Sequence, residues 1–292
     1  METVKCNICG KKTPTQLWAK GKSKRNPKDR RVYRIVQCKK CGLIYTNPRL
    51  TSKELEEYYS LASYAGGRTT ASEKNVKRAK MYEIEINQIM KILKKKFRKR
   101  KIKFLDSGCG NGLFLQALPD KGIEKYATEF SKDAARIAKK NAKIKKIWVG
   151  ELSKLDFGEE KFDVVHMRAV FEHVQNPKKV LKKTHDILKD KGILILSTTP
   201  NVGGPAARVY KYRWVLTKPE EHIYYYTNKT IDKLLDMTGF KRFKTYYPYL
   251  NTPYCNLLKD HLNFVWNYIS GKESASFWRS AFTIYARKQQ KK

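Results

Sequence analysis

The chain has 292 residues, of which 41% are hydrophobic, so it can form one domain of about 200 residues and a smaller module. No apolar run reaches about 18 residues, and Met1–Lys5 does not open a signal peptide, so the sequence argues against a membrane-spanning or secreted protein and favours a soluble, cytoplasmic one. The formal net charge of +36 would attract nucleic acid, anionic lipid headgroups or acidic substrates, but basic residues spread along the whole chain also fit a lysine-rich composition without a binding role.

Two Cys-x-x-Cys pairs lie close to the N-terminus. Cys6 and Cys9 form the first pair, Cys38 and Cys41 form the second, and a glycine follows each pair. Four thiolates at this spacing predict a closed, tetrahedral site for one structural Zn²⁺, which would supply the folding energy of a segment too small to have a core. With short strands expected at 16–18 and 32–37, this segment resembles a zinc ribbon. Cysteines without a metal, or a redox pair, are the alternative.

Residues 51–101 are predicted to form a linker with helices. Ser52 is a suitable cap for a short helix, 63–70 should be a loop, and 72–98 has the apolar periodicity of a long amphipathic helix. The lysines between Lys94 and Lys103 form either a nucleic-acid patch or the solvated end of this helix, where the helix dipole favours cations.

An apolar run that ends in an acid comes next, and glycines follow it at every second position. The key positions of this stretch are Asp106, Gly108, Gly110 and Gly112. They predict a buried strand, a tight turn and a helix over 113–118, with a ligand bound at the carboxyl end of the strand, where the backbone must approach it closely. The spacing differs from the dinucleotide fingerprint, and no lysine is present to hold a phosphate as in the phosphate loop.

The next predicted strand ends in an acid. Glu129 follows Asp106 by 23 residues, which is the length of one βαβ unit. A carboxylate at this position can accept hydrogen bonds from both ribose hydroxyls of a cofactor, although the same rule serves NAD. Further elements are expected in order: a helix at 133–141, a strand and loop at 147–152, a strand at 161–168, a helix at 177–189 and a strand at 191–201.

Five elements, from the glycine loop through Phe162-Asp163-Val164-Val165 to the Lys191-Gly192 turn, resemble the class I S-adenosylmethionine (SAM)-dependent methyltransferases in order and spacing. The run from Cys38 to Arg49 is similar to an arrangement in which a zinc ribbon precedes such an enzyme. The resemblance therefore covers nearly the whole chain. It implies an α/β fold, with a Rossmann-like seven-stranded methyltransferase sheet that has helices on both faces, preceded by a small zinc ribbon.

The resemblance also implies three segments. These are a zinc ribbon at 1–50, a linker with N-terminal helices at 51–101, and a SAM-dependent methyltransferase domain at 102–292 with acceptor-side insertions at 201–227 and 250–275. The segment 58–67 would lie over the SAM cleft.

As cofactors, the resemblance implies SAM together with the structural Zn²⁺. The glycine turn would carry the methionine end of SAM, Glu129 the ribose, and Glu151 the adenine amino group. Most relatives have aspartate in place of Glu151, so Asp156 is an alternative. The implied cofactor-binding residues are Asp106, Gly108, Gly110, Gly112, Glu129, Glu151, Leu152 and His166.

Three histidines are candidates for a general base, because imidazole titrates near neutral pH. His166 is expected where its strand meets the sulfonium side of the cleft, and His173 follows one helical turn later. His222 belongs to a Glu-His-Ile element that lies in the lid of similar methyltransferases, where it would face the acceptor. For each histidine the alternative is a structural role, in packing, capping or a tight turn.

The C-terminal region should contain a loop at 201–205, a helix at 228–237 and two last strands at 243–247 and 281–287, the second of them antiparallel. Between these strands, 251–271 is rich in apolar residues. It is compatible with peripheral membrane contact, with a partner interface or with a cover over the acceptor pocket, and packing on its own domain is the simplest interpretation.

The function that follows is SAM-dependent methylation. The family arrangement implies O-methylation of a saccharide, a lipid-linked glycan or another small molecule. The basic charge and the ribbon leave two alternatives open, an RNA methyltransferase and a non-catalytic nucleic-acid-binding protein of the same fold. The sequence lacks the Asn/Asp-Pro-Pro-Tyr/Phe motif of base N-methylation, and the intact cofactor motifs argue against loss of catalysis.

Overall fold

A computed structural model describes residues 1–10, 13–60, 73–97, 100–250, 252–275 and 277–289. The predicted loop at 63–70 lies outside these ranges, as does most of the segment at 58–67. In the described N-terminal part, three strands and two helices form: β1 (Thr15–Lys22), β2 (Val32–Cys38), β3 (Ile44–Thr46), α1 (Ser52–Ser60) and α2 (Glu73–Phe97). The Glu54 carboxylate accepts from the Thr51 amide, and the Thr51 hydroxyl accepts from the Glu54 amide. Thr51 rather than Ser52 therefore caps α1.

The remaining elements alternate as a βα chain does. In order they are β4 (Ile102–Ser107), α3 (Leu113–Ala117), β5 (Ile123–Glu129), α4 (Lys132–Asn141), β6 (Ile144–Val149), β7 (Phe162–Arg168), α5 (Pro177–Ile187), β8 (Leu188–Pro200), α6 (Pro205–Tyr210), β9 (Tyr224–Tyr225), α7 (Asn228–Asp236), β10 (Phe240–Tyr246), α8 (Leu257–Ile269) and β11 (Ala281–Lys288). Single 3₁₀ turns occur at Leu152–Lys154, Phe171–His173 and Lys211–Arg213.

The main sheet has seven strands in the order β10-β11-β8-β7-β4-β5-β6. Strand β4 pairs in parallel with both β5 and β7, and β11 is antiparallel to its neighbours β8 and β10. Strands β4, β7 and β8 are buried along most of their length, as expected for parallel strands covered by helices on both faces. The chain leaves β4 toward β5 on one side and returns to β7 on the other, which places a topological switch point at the carboxyl end of β4.

The smaller sheet has the order β1-β2-β3-β9. Its fourth strand was not predicted, and it comes from the C-terminal half of the chain. The Thr46 amide donates to the Ile223 carbonyl at 2.9 Å, and the Tyr45 and Tyr224 rings lie 6.3 Å apart. The cysteine-bearing segment thus shares a sheet and a continuous apolar core with the region around β9.

Among the described residues, helix α8 packs along one edge. Phe264 contacts Phe277, with ring centroids 4.5 Å apart, and Tyr210. The opposite face is apolar and exposed, with Leu258 75% and Ile269 73% exposed. The expected packing on its own domain therefore accounts for only one edge of this helix. Among the described helices, none is both long and apolar enough to span a membrane.

Candidate active site

A cleft of about 680 Å³ opens at the switch point, at the carboxyl ends of β4, β5 and β7. The glycine loop forms its floor, and the loops after β5, β6 and β7 form its sides. Helices α1 and α2 supply the outer wall, through Ser52, Leu55, Glu56, Arg78 and Tyr82. The cleft is thus lined by residues that precede and follow the segment 58–67, which was expected to lie over it.

Gly108 and Gly110 both line the cleft and have positive φ, +76° and +56°. A Cβ on Gly108 would lie 2.6 Å from a methyl carbon of Val170, so a side chain at this position would force Val170 to move. Asp106 lies at the base of the cleft, 2% exposed. The structure therefore brings these three predicted residues together on one wall.

The Glu129 carboxylate is anchored at the end of β5, on the wall of the cleft. One oxygen accepts from the Gly110 amide at 2.7 Å, and the other accepts from the Ser131 amide at 3.0 Å, at the start of α4. An acid held by two backbone N–H groups keeps a fixed orientation, with its remaining lone pairs available to hydroxyls of a ligand.

Glu151 and Leu152 line the same cleft on the β6 side, and Glu151 forms an ion pair with Lys154 at 3.2 Å. The alternative residue, Asp156, is not part of the cleft wall and accepts from the Gly158 amide. Glu151 is thus the acid with the suitable position. Its role in cofactor binding, like those of Asp106, Gly108, Gly110 and Glu129, stays a prediction.

Gly112 is placed differently from the other two glycines. It is not part of the cleft wall and instead begins α3, with φ +80°. A Cβ there would lie 2.9 Å from the Cα of Ala138 in α4. Gly112 therefore allows two helices to approach each other, which is a packing role beside the ligand-binding one predicted for it.

His166 is fully buried behind the cleft. Its Nδ1 lies 2.9 Å from Asp106 Oδ1, its Nε2 lies 2.9 Å from Ser197 Oγ and 3.4 Å from Glu85 Oε1, and its ring stacks on Phe114. Burial alone would lower the pKa of His166, but the hydrogen bonds with the two carboxylates outweigh it and raise the pKa to about 9. A protonated imidazole in this position holds the Asp106 side chain but does not reach the cleft, so the geometry does not suit the predicted role as a base.

Glu85 is a member of this buried network that the sequence reading missed. Burial would raise its pKa, but the charges of Arg168 and His166 lower it to about 2. Arg168 donates to the Glu85 carboxylate at 2.9 Å. Its position in the sequence could have indicated that Glu85 is buried. It lies four residues from both Met81 and Ile89, on the buried face of α2.

His173 and His222 come together although 49 residues separate them in sequence. Their ring centroids lie 4.8 Å apart, and only His173 is on the cleft wall. Each Nδ1 donates to a backbone carbonyl, His173 to Glu221 at 2.9 Å and His222 to Leu216 at 2.8 Å. Burial, together with the charges of His173 and Lys218, holds the pKa of His222 well below its usual value.

Glu172, which the sequence reading did not consider, completes this group. It is 2% exposed, and burial raises the pKa of its carboxyl to about 8. Its Oε1 lies 3.9 Å from His173 Nε2, and its Oε2 has no hydrogen-bond partner among the described residues. The Glu172 carbonyl accepts from the Ile223 amide at 2.9 Å, which ties the two segments together.

The four cysteines of the N-terminal segment converge as predicted. The Cys6 and Cys41 sulfurs lie 3.5 Å apart, those of Cys9 and Cys38 lie 3.9 Å apart, and all four lie within 4.8 Å of one another. Tetrahedral Zn²⁺ with four thiolates has sulfur–sulfur distances of about 3.8 Å. Four buried or half-buried sulfurs at these distances fit a structural zinc ion, and none of the four cysteines lines the cleft.

Residues 78–243 match the family described as a methyltransferase domain, which is more than half of the chain. A ubiquinone biosynthesis O-methyltransferase of Glaesserella parasuis serovar 5 is 30% identical over 105 residues, 33% of this chain and 44% of the relative. A mitochondrial ubiquinone biosynthesis O-methyltransferase of Schizosaccharomyces pombe is 33% identical over 102 residues, 33% of this chain and 37% of the relative. The match thus spans less than half the length of these curated relatives.

Among solved structures, magnesium protoporphyrin IX methyltransferase of Synechocystis PCC 6803 with bound SAH matches with a TM-score of 0.56, at 15% identity, over 82% of this chain and 100% of that one. A 1,6-didemethyltoxoflavin-N1-methyltransferase of Burkholderia thailandensis, with its namesake compound and S-adenosylhomocysteine bound, also gives 0.56, at 16% identity, over 88% and 96% of the two chains. At these identities the likeness shows a shared fold.

Proposed function

The chain belongs to the methyltransferase-domain family, and we propose that it is a SAM-dependent O-methyltransferase that acts on a small-molecule hydroxyl acceptor. The observation that carries the proposal is the cleft at the switch point, where the glycine loop and the Glu129 carboxylate lie side by side. Open α/β sheets bind their ligands at this place.

In the proposed complex, SAM occupies the cleft from β4 toward β6. Its methionine end lies against Gly108 and Gly110, which expose backbone and leave no side chain in the way. Its ribose hydroxyls donate to Glu129, and its adenine lies near Glu151 and Leu152. Asp106 at the base of the cleft is held by His166, which makes His166 a positioning residue in this proposal.

The acceptor would enter on the β7 side, where Arg168, Val170 and His173 form the wall. Transfer is an in-line displacement, in which an acceptor oxygen forms a bond to the methyl carbon while the bond from the methyl carbon to sulfur breaks. Because SAM is a strong donor, the protein mainly orients the acceptor and promotes the loss of its proton. The similarity to ubiquinone biosynthesis O-methyltransferases supports O-methylation. We extend the proposal to a saccharide or lipid-linked glycan because the chain resembles the arrangement in which a zinc ribbon precedes a methyltransferase.

The four-cysteine site would hold Zn²⁺ as a structural ion. Its thiolates occupy all four tetrahedral positions, so it leaves none for substrate. The ion would stabilise the sheet that carries β3, and β3 in turn pairs with β9 next to His222.

Calorimetric titration with SAM tests the cofactor part of the proposal. Glu129→Gln should weaken SAM binding by about 10- to 100-fold, because two hydrogen bonds to a charged acceptor lose strength. Asp133→Asn is the matched control, since Asp133 is exposed at the start of α4 and forms its ion pair with the equally exposed Arg136. Equal affinities of the two variants would contradict the placement of the ribose.

Transfer of labelled methyl from SAM to fractionated cell extract tests the acceptor part. We expect label in a small-molecule or glycan fraction. Label in RNA, with binding that falls steeply as salt rises, would favour the nucleic-acid alternative that the charge of +36 suggests.

A further inference from the structure

Glu172, His173 and His222 form a second cluster of metal-ligating groups, remote in sequence from the four cysteines. The ligand atoms of the three residues lie within 4.8 Å of one another. Two imidazoles and one carboxylate are a donor set that suits divalent transition metals, and three protein ligands leave coordination positions open.

The orientation of both rings fits ligation through Nε2. Metal-binding histidines usually donate their other ring N–H to a carbonyl or carboxylate, which fixes the tautomer and the ring direction. Here both Nδ1 atoms donate to backbone carbonyls, those of Glu221 and Leu216. Those carbonyls belong to the 214–223 segment, which the Thr46 side chain also holds by donating to the His222 carbonyl at 3.2 Å.

The carboxylate supplies the second, independent observation. Glu172 is 2% exposed, and its Oε2 has no hydrogen-bond partner among the described residues. A buried polar atom without a partner destabilises the folded protein, and a cation among the three residues would remove this cost. Donors of a tetrahedral ion lie about 3.4 Å apart, so side-chain shifts of about 1 Å would close the group around it.

We propose that Glu172, His173 and His222 bind a divalent transition-metal ion that contacts the acceptor hydroxyl on the β7 side of the cleft. His173 is the member on the cleft wall, so a ligand reaches the ion past this side chain. The role toward the acceptor rests on the proposed function, whereas the metal site itself does not.

The ion would make the acceptor oxygen a better nucleophile. A hydroxyl bound to the ion has a lowered pKa and gives up its proton to solvent. The resulting oxygen then forms the bond to the SAM methyl carbon as the bond from that carbon to sulfur breaks. The products are the methyl ether, neutral S-adenosylhomocysteine and one released proton, so atoms and charge balance.

Cobalt titration of the full chain tests the site without any need for activity. The protein is dialysed against a mild chelator that leaves the four-cysteine zinc in place, and Co²⁺ is then added while absorption is recorded. We expect one equivalent of Co²⁺ with weak d–d bands and no thiolate charge-transfer band. No uptake beyond the zinc already present, or a spectrum with thiolate bands, would overturn the proposal.

Variants identify the ligands. Glu172→Gln and His222→Gln should each weaken Co²⁺ binding by at least about 10-fold. The matched controls are Glu159→Gln and His261→Gln; both residues are exposed, and His261 likewise donates its Nδ1 to a backbone carbonyl, that of Leu257. Unchanged affinity in both ligand variants would contradict the assignment.

SAM calorimetry on the same samples separates the two proposals. A variant that no longer binds Co²⁺ but keeps its SAM affinity and its melting temperature is folded, so the substitution has removed a metal ligand without unfolding the protein. Wild-type protein that binds SAM but takes up no second ion would leave the proposed function standing and refute the metal site. Wild-type protein that binds Co²⁺ but not SAM would support the metal site and refute the proposed function.

Discussion

Gly112 allows the packing of the first methyltransferase helices to be tested separately from ligand binding. In Gly112→Ala, the new Cβ meets the Ala138 Cα at 2.9 Å, and α3 and α4 must move apart. Gly122→Ala is the matched control, because Gly122 has φ +81° against +80° for Gly112 and open space around its Cβ.

The magnitudes follow from these two contributions. A side chain in the left-handed region costs about 1–2 kcal/mol, and this cost is common to both variants. Overpacking against a helix backbone adds about 1–3 kcal/mol in Gly112→Ala alone. We therefore expect the free energy of unfolding to fall by about 1–2 kcal/mol in Gly122→Ala and by about 2–5 kcal/mol in Gly112→Ala.

Equilibrium urea unfolding, followed by tryptophan fluorescence, measures both changes. The slope of the transition should stay unchanged while the midpoint moves. Equal losses in the two variants would refute the reasoning, since the close approach of α3 to α4 would then contribute nothing.

Three further predictions concern the buried groups. The pKa of His166 is about 9 in the folded protein against 6.5 as its ordinary value, so its contribution is complete below pH 6.5 and is lost as pH rises through about 9. The free energy of unfolding of wild type should therefore fall by about 3 kcal/mol over that range, whereas that of His166→Gln, measured by urea unfolding, should not show this fall. The same pH dependence in both proteins would contradict the prediction. Thr46→Val removes the bond to the His222 carbonyl and should cost about 1 kcal/mol in the same assay, where no loss would show that the bond is dispensable. Cys38→Ser should lower the zinc content of purified protein by one ion per chain, as read by atomic absorption, and retention of that ion would exclude Cys38 as a ligand.

Much of the fold could be predicted because its signals are local. The strand from Phe162 to Arg168 and the glycine turn follow from apolar runs and backbone requirements that depend on neighbouring residues alone. Strand β9 could not be found this way. It has two residues, and it exists because it pairs with β3 from the other end of the chain.

The same distinction between local and distant signals applies to the residues of the candidate site. Glu129 could be proposed from the sequence because its distance from Asp106 reflects one βαβ unit, and both residues line the cleft. Glu85 and Glu172 were missed because each meets a distant residue only after the chain folds: Glu85 meets His166, and Glu172 meets His222. Gly112 shows a different limit of sequence analysis. The motif identifies the glycines, but it does not tell which of them line the cleft and which one lies against a helix.

SAM binding at the glycine loop is the central claim, and calorimetric titration of wild type and Gly110→Arg tests it most directly. Gly158→Arg is the matched control, because Gly158 has φ +57° against +56° for Gly110 and lies away from the cleft. We predict one SAM per chain for wild type and for Gly158→Arg, and no measurable binding for Gly110→Arg. Equal SAM affinity in Gly110→Arg and wild type, or no binding by wild type, would contradict the claim.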